Sequence, residues 1–275
     1  GFARCRNTCR SACERHHFQL WRKSIIWKAE LFFLVRSRFS IREPPCLPVR
    51  FVPESIRLFF DRRGQRTDLS FLSVFLVDMR EVRGKSLTIT PIRTMMNHSS
   101  TQLFFDDMRI PASSLVGEEG NGFRYILSGM NAERILIAAE CIGDAKWFIE
   151  RASIYSGERS VFGRPIGQNQ GIQFPIARAY SQMRAAELML QESIRLYEAG
   201  ENPGEEANLA KLLCADASWE AAEMCVQTYG GFGFAEEYDV ERKFREARLY
   251  QVAPISTNLI LSYIAEHVLK LPRSY

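Results

Sequence analysis

The chain has 275 residues, 46% of them hydrophobic and 25% charged, with a formal net charge of +4. That is room for one large domain or two smaller ones of ordinary globular composition, and the longest early apolar run, 31–35, is far too short to span a bilayer. The charge is lopsided: residues 1–66 hold 15 Lys or Arg against 5 Asp or Glu (+10), leaving 21 against 27 (−6) for the rest, and a basic pI made by one segment is no signature of a nucleic-acid binder.

Residues 1–66 read as a segment apart. They are Arg-rich and acid-poor in the manner of a transit peptide, but the bias runs past the length of a normal presequence. Pro44, Pro45, Pro48 and Pro53 follow, and neither a helical nor a strand period is visible. Disorder or a gene-model error is as much the expectation here as a real domain. Four of the seven cysteines lie in the first 46 residues. Cys5, Cys9 and Cys13 are spaced by four, with His16 and His17 close behind, which matches neither a zinc pair nor a cluster-binding run, so no metal site is assigned. Cys141, Cys214 and Cys225 fall in helical patterns and read as small core residues. The compartment stays open.

Order begins near Leu69. The stretches 69–79, 86–94 and 100–111 are rich in β-forming residues and predict three strands of an antiparallel sheet. Pro111 and Gly117 mark the exit, so residues 67–116 read as a partial β domain. From Gly120 the period becomes helical. Helices are expected over about 121–155, 171–198, from the loop at 199–206 to about 228, over 237–247, and over 257–270, with "GGFGF" (230–234) as a break. Long helices with short connections make an up-and-down bundle. The expected fold is therefore mainly α: a C-terminal four-helix bundle over residues 117–275, preceded by the partial antiparallel β domain.

"MNAERILIAAE" (130–140) raises the first functional question. Met130, Ile137 and Cys141 share a helical arc with Glu133, while Leu127, Ile135 and Ala138 lie opposite. A helix apolar nearly all round belongs in a core, where carboxylates are almost never left without a partner. Glu133 is then either paired, with Arg134 or a distant Arg, or kept for chemistry.

Other stretches gather at related places. "GERSVFGRPIGQNQ" places Arg159, Phe162 and Gln170 in or beside one loop, and "QTYGGFG" places Gln227, Gly230 and Gly231 at a helix end. "FREARLYQ" leads into Ser256, Thr257 and Asn258. A guanidinium can grip a pyrophosphate bidentately, an aromatic ring can pack on a flat ligand, and glycines let the backbone approach a nucleotide closely. Taken singly, Arg159 reads as a surface charge and Gly230 as a helix C-cap.

As an ordered set, with "RIPASSLVGEEGNGF" (109–123), these stretches resemble the C-terminal half of an acyl-CoA dehydrogenase over about residues 70–275. The resemblance implies FAD as cofactor, contacted by Arg159, Phe162, Gln170, Gln227, Gly230, Gly231, Ser256 and Asn258, several of them reaching the FAD of a neighbouring subunit in a homodimer or homotetramer. It implies α,β-dehydrogenation of an acyl-CoA: a carboxylate takes the α-proton and the flavin takes the β-hydride. Electron-transfer flavoprotein is the implied acceptor.

Many members of that family carry the base four residues past the Tyr of a segment like "REARLY". Here Pro254 stands there, and no acid occurs between Glu246 and Glu266. A minority, isovaleryl-CoA and some long-chain enzymes among them, carry it on the long helix in a segment that "MNAERI" matches. This makes Glu133 the implied base, with Asn131 and Arg134 at positions associated with CoA. The family's N-terminal helical domain is not legible in residues 1–66, and "IIWKAE" (25–30) is at most a trace of the segment that covers the flavin. The chain is accordingly expected to be incomplete and inactive alone. Two other readings remain open: a non-catalytic bundle for oligomerisation or binding, and an acyl-CoA oxidase.

Overall fold

The computed structural model describes residues 32–36, 46–48, 72–96 and 100–274. The Cys5–Cys9–Cys13 group and the "IIWKAE" stretch lie outside them. The chain divides into two compact units, the first ending at Leu127 and the second beginning at Ser128.

In the first unit, strands β1 (Phe32–Arg36), β3 (Leu72–Leu76) and β7 (Leu115–Val116) form an antiparallel sheet with β3 in the middle. β2 (Cys46–Pro48) pairs with β6 (Arg109–Pro111), and β4 (Leu87–Ile92) pairs with β5 (Ser100–Phe105). Two of these strands, β1 and β2, fall inside the segment whose composition gave no period. The expected single strand over 100–111 is broken into β5 and β6. Asp107 adopts a left-handed φ of 40°, and Asp106 N–H turns to the Ser86 carbonyl. A one-turn helix, α1 (Met79–Val82), follows β3. Phe75, Val77, Met108 and Ile110 make a small buried core. At the exit, Gly120 N–H donates to Ser73 Oγ at 2.9 Å. A Cβ on Gly122 would lie 2.7 Å from the Ser73 backbone, so "GNGF" needs its second glycine for close approach.

The second unit is the helical bundle. Helix α2 (Gly122–Glu158) runs into it, followed by α3 (Gln170–Glu198) and α4 (Gly204–Tyr229). The fourth side is made from shorter pieces: α5 (Val240–Ala247), a 3₁₀ turn at Arg248–Gln251, and α6 (Thr257–Tyr263). The expected helix at 237–247 starts later, because Asp239 sits in the left-handed region at φ 62° and ends a 3₁₀ turn. The expected helix to 270 leaves α geometry at Ile264, where a π turn, Ile264–Val268, takes over.

Packing explains the bundle. Along α2 the buried residues Ala138, Cys141, Ala145, Phe148 and Ala152 recur at three- and four-residue steps and make one stripe. Along α4 the stripe is Ala207, Ala210, Cys214, Ala217, Ala221 and Cys225, small side chains that let helices approach closely. Phe148 is the largest fully buried side chain, and burying such a ring contributes about 1.5–3 kcal/mol. Across the α2–α3 boundary, Glu187 accepts from Lys146 at 2.6 Å and is also paired with Arg184. Asp144 of α2, nearly buried, pairs with Lys243 of α5.

Candidate functional site

The long helix carries the first group of residues. Glu133 is half-exposed, not in the core, and this corrects the sequence expectation that α2 is buried nearly all round. The stripe through Ile135, Ala138 and Cys141 faces inward, while Leu136 next to it is 69% exposed. Helical periodicity located the apolar positions but could not say that one flank of α2 is left open. Among the described residues, Glu133 makes no hydrogen bond or ion pair; its interaction with the adjacent Arg134 is purely Coulombic.

Arg134 is half-buried. Its Nη1 donates to Asn131 Oδ1 at 2.9 Å, while its Nε is buried without a partner. Burial lowers the guanidinium pKa, with Tyr263 of α6 and Glu133 opposing that shift. An orphaned guanidinium N–H is costly unless something accepts from it, and an anionic ligand would satisfy it.

The second group lies at the other end of α2. Arg159 is the first residue past the helix; its N–H donates to Tyr155 O at 2.8 Å, and its carbonyl accepts from Ile166 N at 2.9 Å. A short hairpin of β8 (Ser160–Val161) and β9 (Arg164–Pro165) follows. Phe162 at its tip is fully exposed, at a φ of 53° that a bulky residue rarely adopts. Gln170 is exposed at the first turn of α3.

The turn after α4 comes to meet this hairpin. Gly230 caps α4 at φ 59°, ψ −131°, and Phe232 lies under the Arg159 guanidinium at 5.6 Å. An aromatic column braces the turn. Tyr155 and Tyr229 stack at 4.0 Å, and Tyr238 contacts both Tyr229 and Phe232 edge-on. The fold thus joins Arg159 with the Gly230–Gly231 turn, two motifs some 70 positions apart in sequence. No atom lies within 4 Å of where a Cβ on Gly230 or Gly231 would stand, so the backbone there is open to a ligand. Gln227 is exposed at the edge of a groove of about 670 Å³ walled by Phe174, Arg178, Glu220 and Phe244.

These two groups do not form one site within a single chain. At 1.5 Å per residue, Glu133 and the end of α2 at Glu158 are about 37 Å apart. Ser256 and Asn258 belong to a third place, the start of α6. Ser256 is occupied as its N-cap, accepting from Leu259 N at 3.4 Å, while Asn258 is exposed.

Sequence reasoning missed Lys211, which is 0% exposed. The signal was present: a lysine in the small-residue stripe between Ala207 and Cys214. It also missed Tyr250, buried, hydrogen-bonded to Glu140 and held well above its usual pKa, first by burial and then by the charge of Asp144. Among the described residues, no helix is long and apolar enough to cross a membrane.

An antiparallel β unit followed by an up-and-down helical bundle, with open turns bearing a guanidinium, an amide and bare glycine backbone, defines the class. Residues 120–269 match the family model described as the acyl-CoA dehydrogenase C-terminal domain. The chain belongs to the acyl-CoA dehydrogenase family. It is 38% identical over 194 residues to the acyl-CoA dehydrogenase FadE12 of Mycobacterium tuberculosis, covering 70% of this chain and 50% of that protein. It is 40% identical over 154 residues to an acyl-CoA dehydrogenase of Bacillus subtilis, covering 56% and 41%. The structure of butyryl-CoA dehydrogenase from Megasphaera elsdenii superposes with a TM-score of 0.68 at 26% identity, over 77% of this chain and 54% of that one. The chain spans about half the length of the curated relatives it matches.

Proposed function

We propose that this chain supplies the base and one cofactor-facing surface of an FAD-dependent enzyme that dehydrogenates the Cα–Cβ bond of an acyl-CoA thioester. The observation that carries this is Glu133. It stands in the matched bundle, half-exposed and without a hydrogen-bond or ion-pair partner among the described residues, while position 254 holds a proline. A general base must be reachable and not already spent in a structural pair. Glu133 takes the α-proton onto its carboxylate. Asn131, two positions before it, and Arg134, the next residue after it, orient the CoA; the unsatisfied Arg134 Nε fits an anionic acceptor. FAD, when bound, supplies the acceptor for the β-hydride.

The residues at the far end of α2 fit that cofactor's nucleotide. Arg159 offers a guanidinium that no carboxylate engages among the described residues, Gly230 and Gly231 offer an open backbone, and Phe162, Gln170 and Gln227 are exposed beside them. Because about 37 Å of helix separates them from Glu133, they serve the cofactor of a second copy, and Ser256 and Asn258 serve the chain's own. A homodimer or larger homo-oligomer follows from that arrangement. Electron-transfer flavoprotein is the proposed acceptor of the electrons, and peroxide release in air would mark an oxidase instead. Since the chain covers about half of its relatives' length, the 275 residues alone are proposed not to turn over.

The test is Glu133→Gln in a version extended to the full length of the relatives. It should keep the fold and FAD but lose exchange of the substrate α-proton by about a hundredfold or more. Exchange at the parent rate with acyl-CoA bound would remove Glu133 from the mechanism.

A further inference from the structure

Lys211 of α4 has no part in the reading above, yet it is completely buried. Lysines are almost never fully buried unless paired, and no carboxylate hydrogen-bonds to this one among the described residues. Its Nζ instead donates to two main-chain oxygens, of Tyr250 at 2.5 Å and of Ile255 at 2.8 Å. Both belong to one short segment, 39 and 44 residues further along the chain. Burial lowers its pKa, with Cys141 and Asp216 opposing. A residue of the same length without charge would fill the space at lower desolvation cost. What it could not do is satisfy two main-chain carbonyls, one buried and one part-buried, at the two ends of a loop.

The rest of the segment is tied to the same helix. Gln251 Nε2 donates to Asp216 Oδ1 of α4 at 3.1 Å, and Thr257 Oγ1 donates back to the Gln251 carbonyl at 3.2 Å. Ile255, whose carbonyl Lys211 holds, immediately precedes Ser256, the cap that starts α6. Fixing that carbonyl fixes the direction in which α6 leaves the loop, and with it the positions of Ser256 and Asn258.

We propose that Lys211 is a positioning residue. Its buried amine straps segment 250–256 to the bundle, and so presents Ser256 and Asn258 to FAD; the second clause rests on the cofactor reading given above. Lys211 touches no ligand in this proposal and acts only through the loop.

The experiment is hydrogen exchange of the 275-residue chain and of its Lys211→Met variant, with FAD titrated into each and followed by flavin fluorescence. In the parent, the amides of 250–256 should exchange as slowly as those of the bundle around Cys214, and not as a surface loop such as 199–203. In Lys211→Met they should exchange at least about tenfold faster, while α4 stays protected, and FAD should bind about tenfold or more weakly. A merely structural lysine would instead loosen α4 and the loop together, and that result overturns the proposal. So does a parent segment that exchanges as fast as 199–203, a measurement that needs no variant and decides the matter should Lys211→Met not fold. Unchanged exchange in a folded Lys211→Met chain overturns the strap whatever FAD does. FAD affinity left unchanged in a Lys211→Met chain whose loop has loosened overturns the cofactor clause alone, while the exchange data still judge the strap.

Discussion

Gly230 and Gly231 are adjacent, but the structure asks different things of them, and substituting each by alanine separates fold from function. Gly230 has φ 59° and ψ −131°, a conformation that L-residues rarely adopt, although nothing lies within 4 Å of a new Cβ. The penalty for Gly230→Ala is therefore backbone strain alone, about 1–3 kcal/mol. At about 1.4 kcal/mol per factor of ten, that is roughly a 5- to 150-fold loss in the folding equilibrium. For a unit of this size it lowers the Tm by about 2–12 °C. Gly231 has neither a positive φ nor a neighbour within 4 Å. Gly231→Ala should leave the Tm unchanged or raise it slightly, since alanine restricts the unfolded chain by about 0.4–1 kcal/mol. On the proposed cofactor placement, its methyl group would stand where the nucleotide approaches the backbone, so FAD affinity should fall about tenfold. Thermal unfolding by circular dichroism and a flavin titration read the two quantities. Equal Tm losses in both variants would refute the backbone argument. Full FAD affinity in Gly231→Ala would refute the placement of the cofactor.

Two further outcomes test the bundle. Glu187 is held below its ordinary carboxylate pKa of 4.5, first by its hydrogen bond to Lys146 and also by Arg184. The unfolded chain therefore takes up this proton first as pH falls, so the stabilisation is complete above pH 4.5 and is lost as pH drops through the folded value. Urea unfolding of Glu187→Gln should show a flatter fall in stability between about pH 5 and pH 3 than the parent; parallel curves would mean the clamp is not formed. Sedimentation of the chain should show a dimer or larger species at micromolar concentration, because Phe162 and Phe234 lie exposed on turns and Leu136 on α2. A clean monomer would count against the shared cofactor site.

What the sequence determined by itself is what local physics determines. The change of period at Gly120, the break at "GGFGF" and the lengths of the three long helices follow from spacing and from residues that only a turn accepts. The proposed base position came from resemblance instead: "MNAERI" on the long helix and Pro254 in the loop are local features that can be compared with a family before any fold is known. Tertiary structure decided which apolar positions meet a neighbour, and so left Leu136 exposed and Glu133 half-exposed on a helix whose composition suits a core. It brought Arg159 over Phe232, and Lys211 under the carbonyls of Tyr250 and Ile255, across separations for which a sequence carries no period. Strands β1 and β2 belong here too. FFLVR and CLP do not alternate and are too short to announce a strand, and they become strands only because β3 and β6 supply the hydrogen-bonding edges. A lysine among alanines marks an oddity in one dimension; only the return of the chain after α5 makes it a strap, because a buried charge has meaning only with the groups that solvate it.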